Sequence, residues 1–335
     1  MVSDPLVAGG GPPSPFLWSW WLTHTTVGEP LIVTVYDDEG LVGGVALQRD
    51  RVAGVERLRL AGAGVLERDH LDVVARTGRH ADVATEVARW LRSGDRVVDF
   101  DGVAETSTLR RLLGRRAVVR PVALAPYATL PGSFEEYLAG RRGSTRSTVT
   151  RTRKRLEKVG VSHEVIDSSA DPQTAAEAIA ELGALHDGRW GERSAVLDSW
   201  PALAAALADG LAAGGVVLHR LVHSETGTIA VEADLLAGGR TCFYQAGRLT
   251  DHEWRGSGSV LKAAVIEHAI ASGHTEYDLL RGDEPYKQEW ATSRRPLFRL
   301  TTGFGPRGVA LHGALEANRR LQAWRADRLE RRSAV

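Results

Sequence analysis

The chain has 335 residues, of which 43% are hydrophobic and 25% are charged, and both values are typical of globular proteins. Its 42 Lys and Arg residues balance 42 Asp and Glu residues, so no excess charge directs the whole molecule toward nucleic acid or an acidic membrane. A single cysteine, Cys242, excludes a disulfide framework or a thiolate metal site within one chain. No stretch reaches the roughly 20 apolar residues that a membrane span needs, and no basic-then-apolar signal pattern is seen, so we expect a cytoplasmic protein.

The N-terminal part of the chain predicts alternating strands and helices. Residues 1–14 are rich in Gly and Pro, which indicates an irregular lead-in, and residues 15–22 indicate a short helix whose tryptophans pack into the core. The β-rich runs 31–36 and 41–47 flank Asp-Asp-Glu-Gly, which is typical of a hairpin turn. Further along, we predict strands at 55–60 and 96–100, helices at 81–91 and 106–113, and an extended crossing segment at 117–130.

The C-terminal part repeats this order. A hairpin over 216–222 and 228–236 is followed by a strand at 241–246, a helix at 259–272 and a short buried strand at 277–280. Because both parts run hairpin, strand, helix and strand, we predict an α/β fold with mixed sheets, built as a degenerate tandem of two halves. Each half is expected to be a mixed sheet flanked by helices, with residues 1–132 as the N-terminal half and residues 133–335 as the C-terminal half. Residues 133–138 lie between the halves, and additional helices are predicted at 144–159, 172–190, 200–213 and 311–329.

A glycine turn precedes the predicted helix 259–272. Gly256 and Gly258 let the backbone turn tightly, because glycine tolerates positive φ angles, and Ser259 is predicted to cap the helix. The free N–H groups and the positive dipole end of such a helix suit a phosphate or pyrophosphate. A tight structural turn without a ligand is the alternative interpretation.

The segment that follows this helix carries the most specific motif of the chain. The order of the glycine turn, the helix, Tyr-Asp-Leu-Leu at 277–280 and Leu-Arg-Gly-Asp-Glu-Pro-Tyr-Lys at 280–287 before Trp290 resembles the CelD-like acyltransferase family of the GNAT superfold. That family is related in turn to the Fem aminoacyl transferases. The resemblance covers nearly the whole chain and implies two GNAT-like halves packed together.

The resemblance also implies a binding site for the pyrophosphate of acyl-CoA. The residues that would form it are Arg255, Gly256, Ser257, Gly258 and Ser259. The superfamily usually carries Gln or Arg three residues before the first glycine, where this chain has Glu253, so Arg255 would supply the cation instead.

Polar residues cluster after the predicted strand 277–280, where α/β folds place ligands. Attack of an amine or hydroxyl on a thioester requires removal of its proton and stabilisation of the leaving thiolate. Asp283 is a candidate base, Tyr286 a candidate proton donor to the thiolate, and Lys287 a candidate for binding a phosphate or the developing oxyanion. Asp278 and Arg281 are candidate substrate-binding residues beside them. In the alternative, Asp283 caps the following turn and Lys287 is solvated.

A second set of candidates lies upstream. Glu232 and Asp234 lie on one face of a predicted strand, because side chains alternate along a strand, and the family usually has small or apolar residues there. Glu232 is therefore a candidate base particular to this chain, although exposure at a sheet edge would explain both acids equally well. Tyr244 and Gln245 on the next strand are predicted to reach the same cleft.

Two further side chains are predicted to line the acceptor pocket. His186 and Trp190 resemble a His…Arg-Trp pattern of the family at a helix end, although a packed tryptophan beside a helix stop explains the pattern nearly as well. His219 and His223 have a separation that suits a metal, but no third ligand lies nearby in the sequence, so we predict no metal site.

The basic helix 144–159 leaves the donor open. Between Arg141 and Lys158 the sequence has eight basic residues and one acid, Glu157. These cations can contact the 3′-phosphate of CoA, a sugar-phosphate acceptor or tRNA, and they can equally form a solvated helix face. Zero net charge and the lack of aromatic residues in the run argue modestly against RNA.

The sequence therefore predicts an acyltransferase that moves an acyl group, most simply acetyl, from acyl-CoA to an amine or hydroxyl of a small-molecule or saccharide acceptor. Acetyl-CoA or another acyl-CoA would be the co-substrate. An aminoacyl-tRNA-dependent transferase of the Fem type and a non-catalytic ligand-binding module are the two alternatives, and tRNA is a partner only under the first of these.

Overall fold

A computed structural model describes residues 7–8, 14–62, 69–113, 115–191, 194 and 196–333 of the chain. Over these residues thirteen strands form a single mixed sheet, and helices pack against both of its faces. The strands are β1 (Val7–Ala8), β2 (Glu29–Asp37), β3 (Gly40–Val52), β4 (Val55–Leu60), β5 (Val74–Ala75), β6 (Arg96–Ala104), β7 (Val118–Thr129), β8 (Val161–Ile166), β9 (Val216–His223), β10 (Gly227–Ala237), β11 (Arg240–Arg248), β12 (Glu276–Asp278) and β13 (Ser293–Phe304). The helices are α1 (Ser19–Thr25), α2 (His80–Arg92), α3 (Thr108–Leu113), α4 (Phe134–Ala139), α5 (Gly143–Lys158), α6 (Pro172–Trp190), α7 (Trp200–Ala212), α8 (Ser257–Ala271), α9 (Pro285–Trp290) and α10 (Gly305–Ser333).

The predicted repetition of one structural unit is present in the sheet. In the N-terminal half, the hairpin β2–β3 is followed by β4, helix α2 and the strand β6, which lies parallel to β4. In the C-terminal half, the hairpin β9–β10 is followed by β11, helix α8 and the strand β12, which lies parallel to β11. The predicted fold class, a tandem of mixed sheets flanked by helices, is therefore confirmed.

The two halves share their central strands. The strand order is β1-β5-β3-β4-β6-β13-β7-β12-β11-β10-β9-β8, with β2 paired to β3. Strand β7, which precedes the C-terminal half in sequence, pairs with β12 of that half, and β13, near the C-terminus, pairs with β6 of the N-terminal half. Because β7 and β13 also pair with each other, each half completes the sheet of the other.

Two hydrophobic cores lie on the two faces of the sheet. The larger one contains Phe16 and Trp21 from the N-terminal segment, both fully buried, together with residues of α2, α6 and α7. The prediction that this segment anchors aromatic side chains in the core is confirmed for Trp20 and Trp21, whereas Trp18 is exposed. The smaller core lies beneath α4, α5 and α8.

Four strands and one helix start differ from the sequence-based expectation, and two of these strands, β1 and β5, have only two residues each. Strands β8 and β13 were not expected, because neither Val-Ser-His-Glu-Val-Ile nor Ser-Arg-Arg-Pro-Leu-Phe-Arg-Leu shows strong β patterning. Helix α8 begins at Ser257 with Gly256 as its N-cap residue, so the predicted cap at Ser259 is wrong. In the part of the chain that the structure describes, every helix is too short or too polar to cross a membrane.

Candidate active site

Four polar side chains form a buried network between the sheet and helix α8. Lys262 Nζ lies 2.6 Å from Glu232 Oε1 and 2.7 Å from the hydroxyl of Tyr277. The same hydroxyl donates to Glu232 Oε1 at 2.6 Å and lies 3.3 Å from Asp234 Oδ1. All four residues are at most 4% exposed. Buried ionisable groups are costly unless paired, so a cluster of this kind marks a candidate functional site.

The secondary structure explains how these side chains meet. Glu232 and Asp234 alternate with core residues along β10 and therefore point to the face covered by α8. Helix α8 is buried on nearly all sides, so Lys262, in its second turn, has no route to solvent along its own helix. The ammonium group of Lys262 lies 3.5 Å from the ring centre of Phe243 on β11, which adds a cation–π contact to the buried network.

Burial changes the protonation of the network. Burial raises the pKa of Asp234 well above its ordinary value, and the neighbouring carboxylate of Glu232 adds to this, so Asp234 tends to hold its proton. Burial lowers the pKa of Lys262 despite its two acidic neighbours, and burial raises the pKa of Tyr277. Asp234 Oδ2 has no hydrogen-bond partner among the described residues. A group of this kind can exchange protons without passing through a highly charged state.

A β-bulge opens the sheet beside this network. Phe243 pairs with Asp234 and Gln245 pairs with Ala233, so Tyr244 is the extra residue of a bulge on β11. Beyond Cys242, β11 no longer pairs with the parallel strand β12. The pairing of β11 with β12 therefore ends one residue before Phe243, whose ring contacts the ammonium group of Lys262 in the buried network.

The bulge also decides where two predicted pocket residues lie. The ring of Tyr244 packs 4.9 Å from that of Trp21, in the core on the opposite side of the sheet from α8. Gln245 is in register with Ala233, which belongs to the same core. The structure therefore does not bring these two side chains to Glu232, and it places Phe243 there instead.

The N-terminus of α8 offers backbone N–H groups that are free of intrahelical bonds. Gly256 has a φ of +86°, which favours glycine, and its carbonyl accepts the N–H groups of Ser259 and Val260, so the amides of Ser257 and Gly258 precede the first intrahelical donors. The first turn contains no acidic residue, and the Oγ atom of buried Ser257 has no partner among the described residues. A Cβ atom on Gly258 would lie 3.2 Å from Arg248 Cδ, so this arginine lies against the turn. These features suit an anion.

Helix α5 lies against the same turn and contributes a cation to it. Arg155 donates to the carbonyl oxygen of Glu253 at 2.5 Å and to that of Arg255 at 2.7 Å, while the side chain of Arg255 is exposed. A small polar cavity of about 130 Å³ lies between α5 and α8, and Arg142, Ser144, Thr145, Thr148, Ser259 and Glu289 line it. Exposed cations along α5 are Arg142, Arg146, Arg151, Lys154, Arg155 and Lys158.

The segment after β12 carries the predicted catalytic residues in different environments. Asp283 is exposed and accepts a hydrogen bond from Gln288. Lys287 is buried, donates to the carbonyl oxygen of Arg281 at 2.5 Å and lies 3.1 Å from Glu284, so it is not a solvated side chain.

Tyr286, on the same segment, lies beside the wall of the network. Its ring meets Phe243 edge-on at 6.4 Å between centres. Tyr286 is 39% exposed, yet partial desolvation raises the pKa of its phenol, and Glu284 and Glu232 raise that pKa further, while Arg189 lowers it.

Asp278 and Arg281 are tied to the N-terminal half. Asp278 is fully buried; burial alone would raise its pKa, yet His70, Arg240 and Arg295 outweigh burial and hold the pKa of Asp278 below its ordinary value. Arg281 is half-buried and bonds to Asp69.

Helix α6 carries the remaining predicted pocket residues. His186 is buried, with Nε2 2.7 Å from the hydroxyl of Ser194 and Nδ1 3.4 Å from the carbonyl oxygen of Ala246 on β11. Burial lowers the pKa of His186. Trp190 ends the helix, and its side chain lies outside the part of the chain that the structure describes.

His219 and His223, the two histidines considered for a metal, have different hydrogen-bond partners. His219 Nδ1 lies 3.1 Å from His163 Nε2, and His223 bonds to Thr226. Among the described residues, no group of three or more His, Cys, Asp or Glu side chains has the arrangement of a metal site.

Sequence reasoning identified Glu232 and Asp234 but missed Lys262, Tyr277 and the contacts with the N-terminal half. The available signal was a single lysine within the apolar run Val-Leu-Lys-Ala-Ala-Val-Ile. A charged residue inside a helix that is apolar all round must be paired or functional, and that test would have selected Lys262.

Comparison with known proteins agrees with this fold. Residues 143–288, which contain the buried network and the α8 turn, match the family model described as an acetyltransferase (GNAT) domain. A search of curated proteins found no match.

Several solved structures share the overall fold. The structure of FemX has a TM-score of 0.60 and 11% sequence identity, covering 86% of this chain and 92% of that chain. The structure of L-PGS from Bacillus licheniformis has a TM-score of 0.55 and 11% identity, covering 88% and 93%. The C-terminal domain (DUF2156) of a protein described as a lysylphosphatidylglycerol synthetase from Agrobacterium fabrum has a TM-score of 0.57 and 11% identity, covering 86% and 87%. At these identities the likeness concerns the fold alone, and together with the match of residues 143–288 it indicates a GNAT-type fold.

Proposed function

We propose that this chain is an acyltransferase of the CelD-like type, which moves an acetyl or other acyl group from acyl-CoA to an amine or hydroxyl of a small-molecule or saccharide acceptor. The observation that carries the proposal is the network of Glu232, Lys262, Tyr277 and Asp234, whose lysine belongs to the second turn of α8, close to the N-terminus of that helix. A candidate anion site and a proton-exchanging cluster thus belong to the same helix.

The donor's pyrophosphate would bind at the start of α8. The N–H groups of Ser257 and Gly258 and the helix dipole favour a negative charge there. Gly258 allows close approach because it has no side chain, and Arg248 and Arg255 supply cations on either side. The thioester would then lie between β11 and β12, above Glu232.

The reaction requires two proton movements. The acceptor's nitrogen or oxygen forms a bond to the carbonyl carbon, the carbon–sulfur bond breaks, the acceptor loses a proton and the thiolate gains one. In our proposal Glu232 takes the acceptor's proton, directly or through a water, and Tyr286 donates to the thiolate. Lys262 and Tyr277 both hold Oε1 of Glu232, which fixes the orientation of the base. Solvent restores both groups after release.

Asp283 is the competing candidate for the base. It is exposed and engaged by Gln288, and an exposed carboxylate lacks the surroundings that tune a general base. We therefore assign Asp283 and Lys287 to holding the loop between β12 and α9 and keep Glu232 as the base.

Paired isosteric variants test this assignment. Glu232→Gln is expected to lower kcat by about 100- to 10,000-fold, the usual contribution of a general base, without weakening acetyl-CoA binding. Asp283→Asn is expected to keep kcat within about fivefold of the wild type, because an exposed side chain outside the network contributes little. Release of free CoA is measured over a panel of amines, amino sugars and alcohols, with the melting temperature as the folding control. Loss of activity in Asp283→Asn alone would reverse the assignment, and acetyl-CoA binding without turnover on any acceptor would favour a binding module.

An aminoacyl-tRNA donor is the second candidate. The observation that favours it is the row of exposed cations on α5, which continues to Arg255 beside the α8 turn. Arginines and lysines in a row suit a phosphate backbone, and binding of that kind weakens steeply with salt. The fold shared with FemX is compatible with this donor but does not select it.

A further inference from the structure

We propose that Asp69 and His70, from the N-terminal half, are positioning residues that hold the loop between β12 and α9 in its working geometry. This inference rests on the proposed function, because that loop leads to Tyr286 and Lys287. The two residues lie in a loop of the N-terminal half, more than 200 residues before Asp278 and Arg281 in sequence. No sequence motif of that half indicates their role.

Asp69 accepts two hydrogen bonds from Arg281. Its Oδ2 accepts the backbone N–H of Arg281 at 2.5 Å and its Oδ1 accepts the Nε–H at 2.6 Å. Asp69 is 1% exposed, and its own carbonyl oxygen accepts the hydroxyl of Ser14 at 2.7 Å. A buried carboxylate that holds both the backbone and the side chain of one residue fixes its position and its orientation, and charge-assisted bonds of this kind are stronger than neutral ones.

His70 holds the start of the same loop. Its ring is fully buried, and Nε2 lies 2.9 Å from Asp278 Oδ2. The other oxygen of Asp278 accepts the backbone N–H of Leu280 at 2.9 Å. His70 therefore acts on the loop through the carboxylate that turns its backbone.

Both ends of this contact carry backbone strain. His70 has a φ of +60° and Leu280 a φ of +54°, and neither residue is a glycine. Left-handed conformations of such residues are uncommon and persist where surrounding contacts impose them, often at functional sites. Here the contacts that impose them are those between His70, Asp278 and the Leu280 amide.

One further hydrogen bond connects Arg281 to helix α9. The carbonyl oxygen of Arg281, whose N–H is held by Asp69, accepts Lys287 Nζ at 2.5 Å. Lys287 lies on α9 next to Tyr286, the proposed proton donor. A shift of Arg281 is therefore expected to shift α9, and displacement of reacting groups by about 1 Å can cost a factor of about 100 in rate.

Asp69→Asn tests the proposal against a matched control. Asp99→Asn removes another arginine–aspartate pair between the halves, in which Arg299 donates twice to Asp99 at 2.6 Å, and the arginines that pair with Asp99, Arg299 and Arg319, lie outside this loop. In Asp69→Asn we expect hydrogen exchange of the Leu280 and Arg281 amides to rise about 10- to 100-fold, and kcat to fall about 10- to 100-fold, with the Kd for acetyl-CoA unchanged. In Asp99→Asn the melting temperature should fall, while exchange in this loop and kcat stay within about twofold of the wild type.

The exchange measurement does not depend on turnover, so it separates this proposal from the proposed function. Faster exchange in a protein with no transferase activity would support the positioning role and reject the enzyme. Unchanged loop exchange in Asp69→Asn, or changes equal to those in Asp99→Asn, would overturn the positioning role. If Asp69→Asn does not fold, His70→Asn serves instead, since asparagine tolerates positive φ but lacks the Nε2 group, and the same pattern of exchange is required of it.

Discussion

Lys262 is the residue on which the proposed site depends most. It is 4% exposed and pairs with Glu232, which is 1% exposed. We expect Lys262→Met to lower the free energy of unfolding by about 3–5 kcal/mol, because removing one partner leaves a buried carboxylate without its counter-charge. The double variant Glu232→Gln/Lys262→Met should regain part of that loss. Urea unfolding measures both, and Lys154→Met, on the exposed face of α5, is the control that should change little.

An equal loss in the single and the double variant would contradict this account of the pair. It would mean that packing of the Lys262 side chain, rather than its charge, stabilises the site. The comparison is a double-mutant cycle with Glu232→Gln alone as its fourth corner.

At the residue scale, the sequence predicted one half of the network. Glu232 and Asp234 were recognised because two acids two positions apart share a strand face. Lys262 was not, since a helical apolar pattern tolerates single exceptions, and the partner of a buried charge lies elsewhere in the chain. Asp69 and His70 could not be found in this way, because their partners come from the other half.

At the scale of elements, the two glycines of the turn before α8 have different roles. Gly256 is required by its backbone conformation, whereas Gly258 is required by the proposed contact with the ligand. Gly256 has a φ of +86°, and a Cβ atom there would lie 3.1 Å from Thr152 Cγ2. Gly258 is helical, and its Cβ atom would meet only the flexible side chain of Arg248 at 3.2 Å. We expect Gly256→Ala to lower the free energy of unfolding by about 1–2 kcal/mol, and Gly258→Ala to leave it unchanged or raise it slightly.

Acetyl-CoA affinity should follow a different order from stability in these two variants. Gly258→Ala is expected to weaken binding while it folds normally, because its methyl group lies where the pyrophosphate approaches. Thermal unfolding with and without acetyl-CoA distinguishes the two effects. Loss of stability in Gly258→Ala with no change in Gly256→Ala would contradict the assigned conformations.

The order of elements could be predicted, but two local features could not. The hairpins, helices and parallel strands follow from hydrophobic periodicity and turn residues. Strand β13 has three arginines and a proline among its first seven residues and forms because β6 and β7 flank it, which is tertiary context. The bulge at Tyr244 reverses which side chain faces α8, and a one-residue shift of this kind leaves no mark in the strand's composition.

At the scale of the whole molecule, histidines with lowered pKa values predict sensitivity to acid. Desolvation lowers the pKa of the buried His186 and His219, of the half-buried His268, His274 and His312, and of the more exposed His163. Because their folded pKa values lie below the unfolded value of about 6.5, the unfolded chain binds more protons as the pH falls through that value. The raised pKa of Asp234 acts in the opposite direction, but it is a single group.

We therefore expect the free energy of unfolding to fall between pH 7.5 and pH 5.5, by up to about 1.4 kcal/mol per pH unit for each excess proton bound by the unfolded chain. Urea unfolding at three pH values measures the slope. His219→Phe should make the slope shallower, since His219 is fully buried beside His163 and His268. A free energy that is flat or rises over this range would be inconsistent with the assigned shifts.

The tandem character of the chain was readable from its repeated order of elements, but the exchange of β7 and β13 was not. Repetition fixes what each half contains, whereas the partner of a terminal strand depends on how the halves pack. The boundary between residues 132 and 133 stays a prediction. Since β7 lies before this boundary and pairs with β12 beyond it, the structure gives the candidate site a scaffold from both halves.

The central claim is that the N-terminus of α8 binds the pyrophosphate of an acyl-CoA. Calorimetric titration of acetyl-CoA into the full chain tests it most directly, with Gly258→Trp as the blocked variant and deacylated tRNA as the competing ligand. We predict saturable one-site binding of acetyl-CoA in the micromolar range. This binding should be lost in Gly258→Trp, although that variant still melts cooperatively. No heat with acetyl-CoA, together with tRNA binding that weakens steeply with salt, would contradict the claim and move the donor to aminoacyl-tRNA.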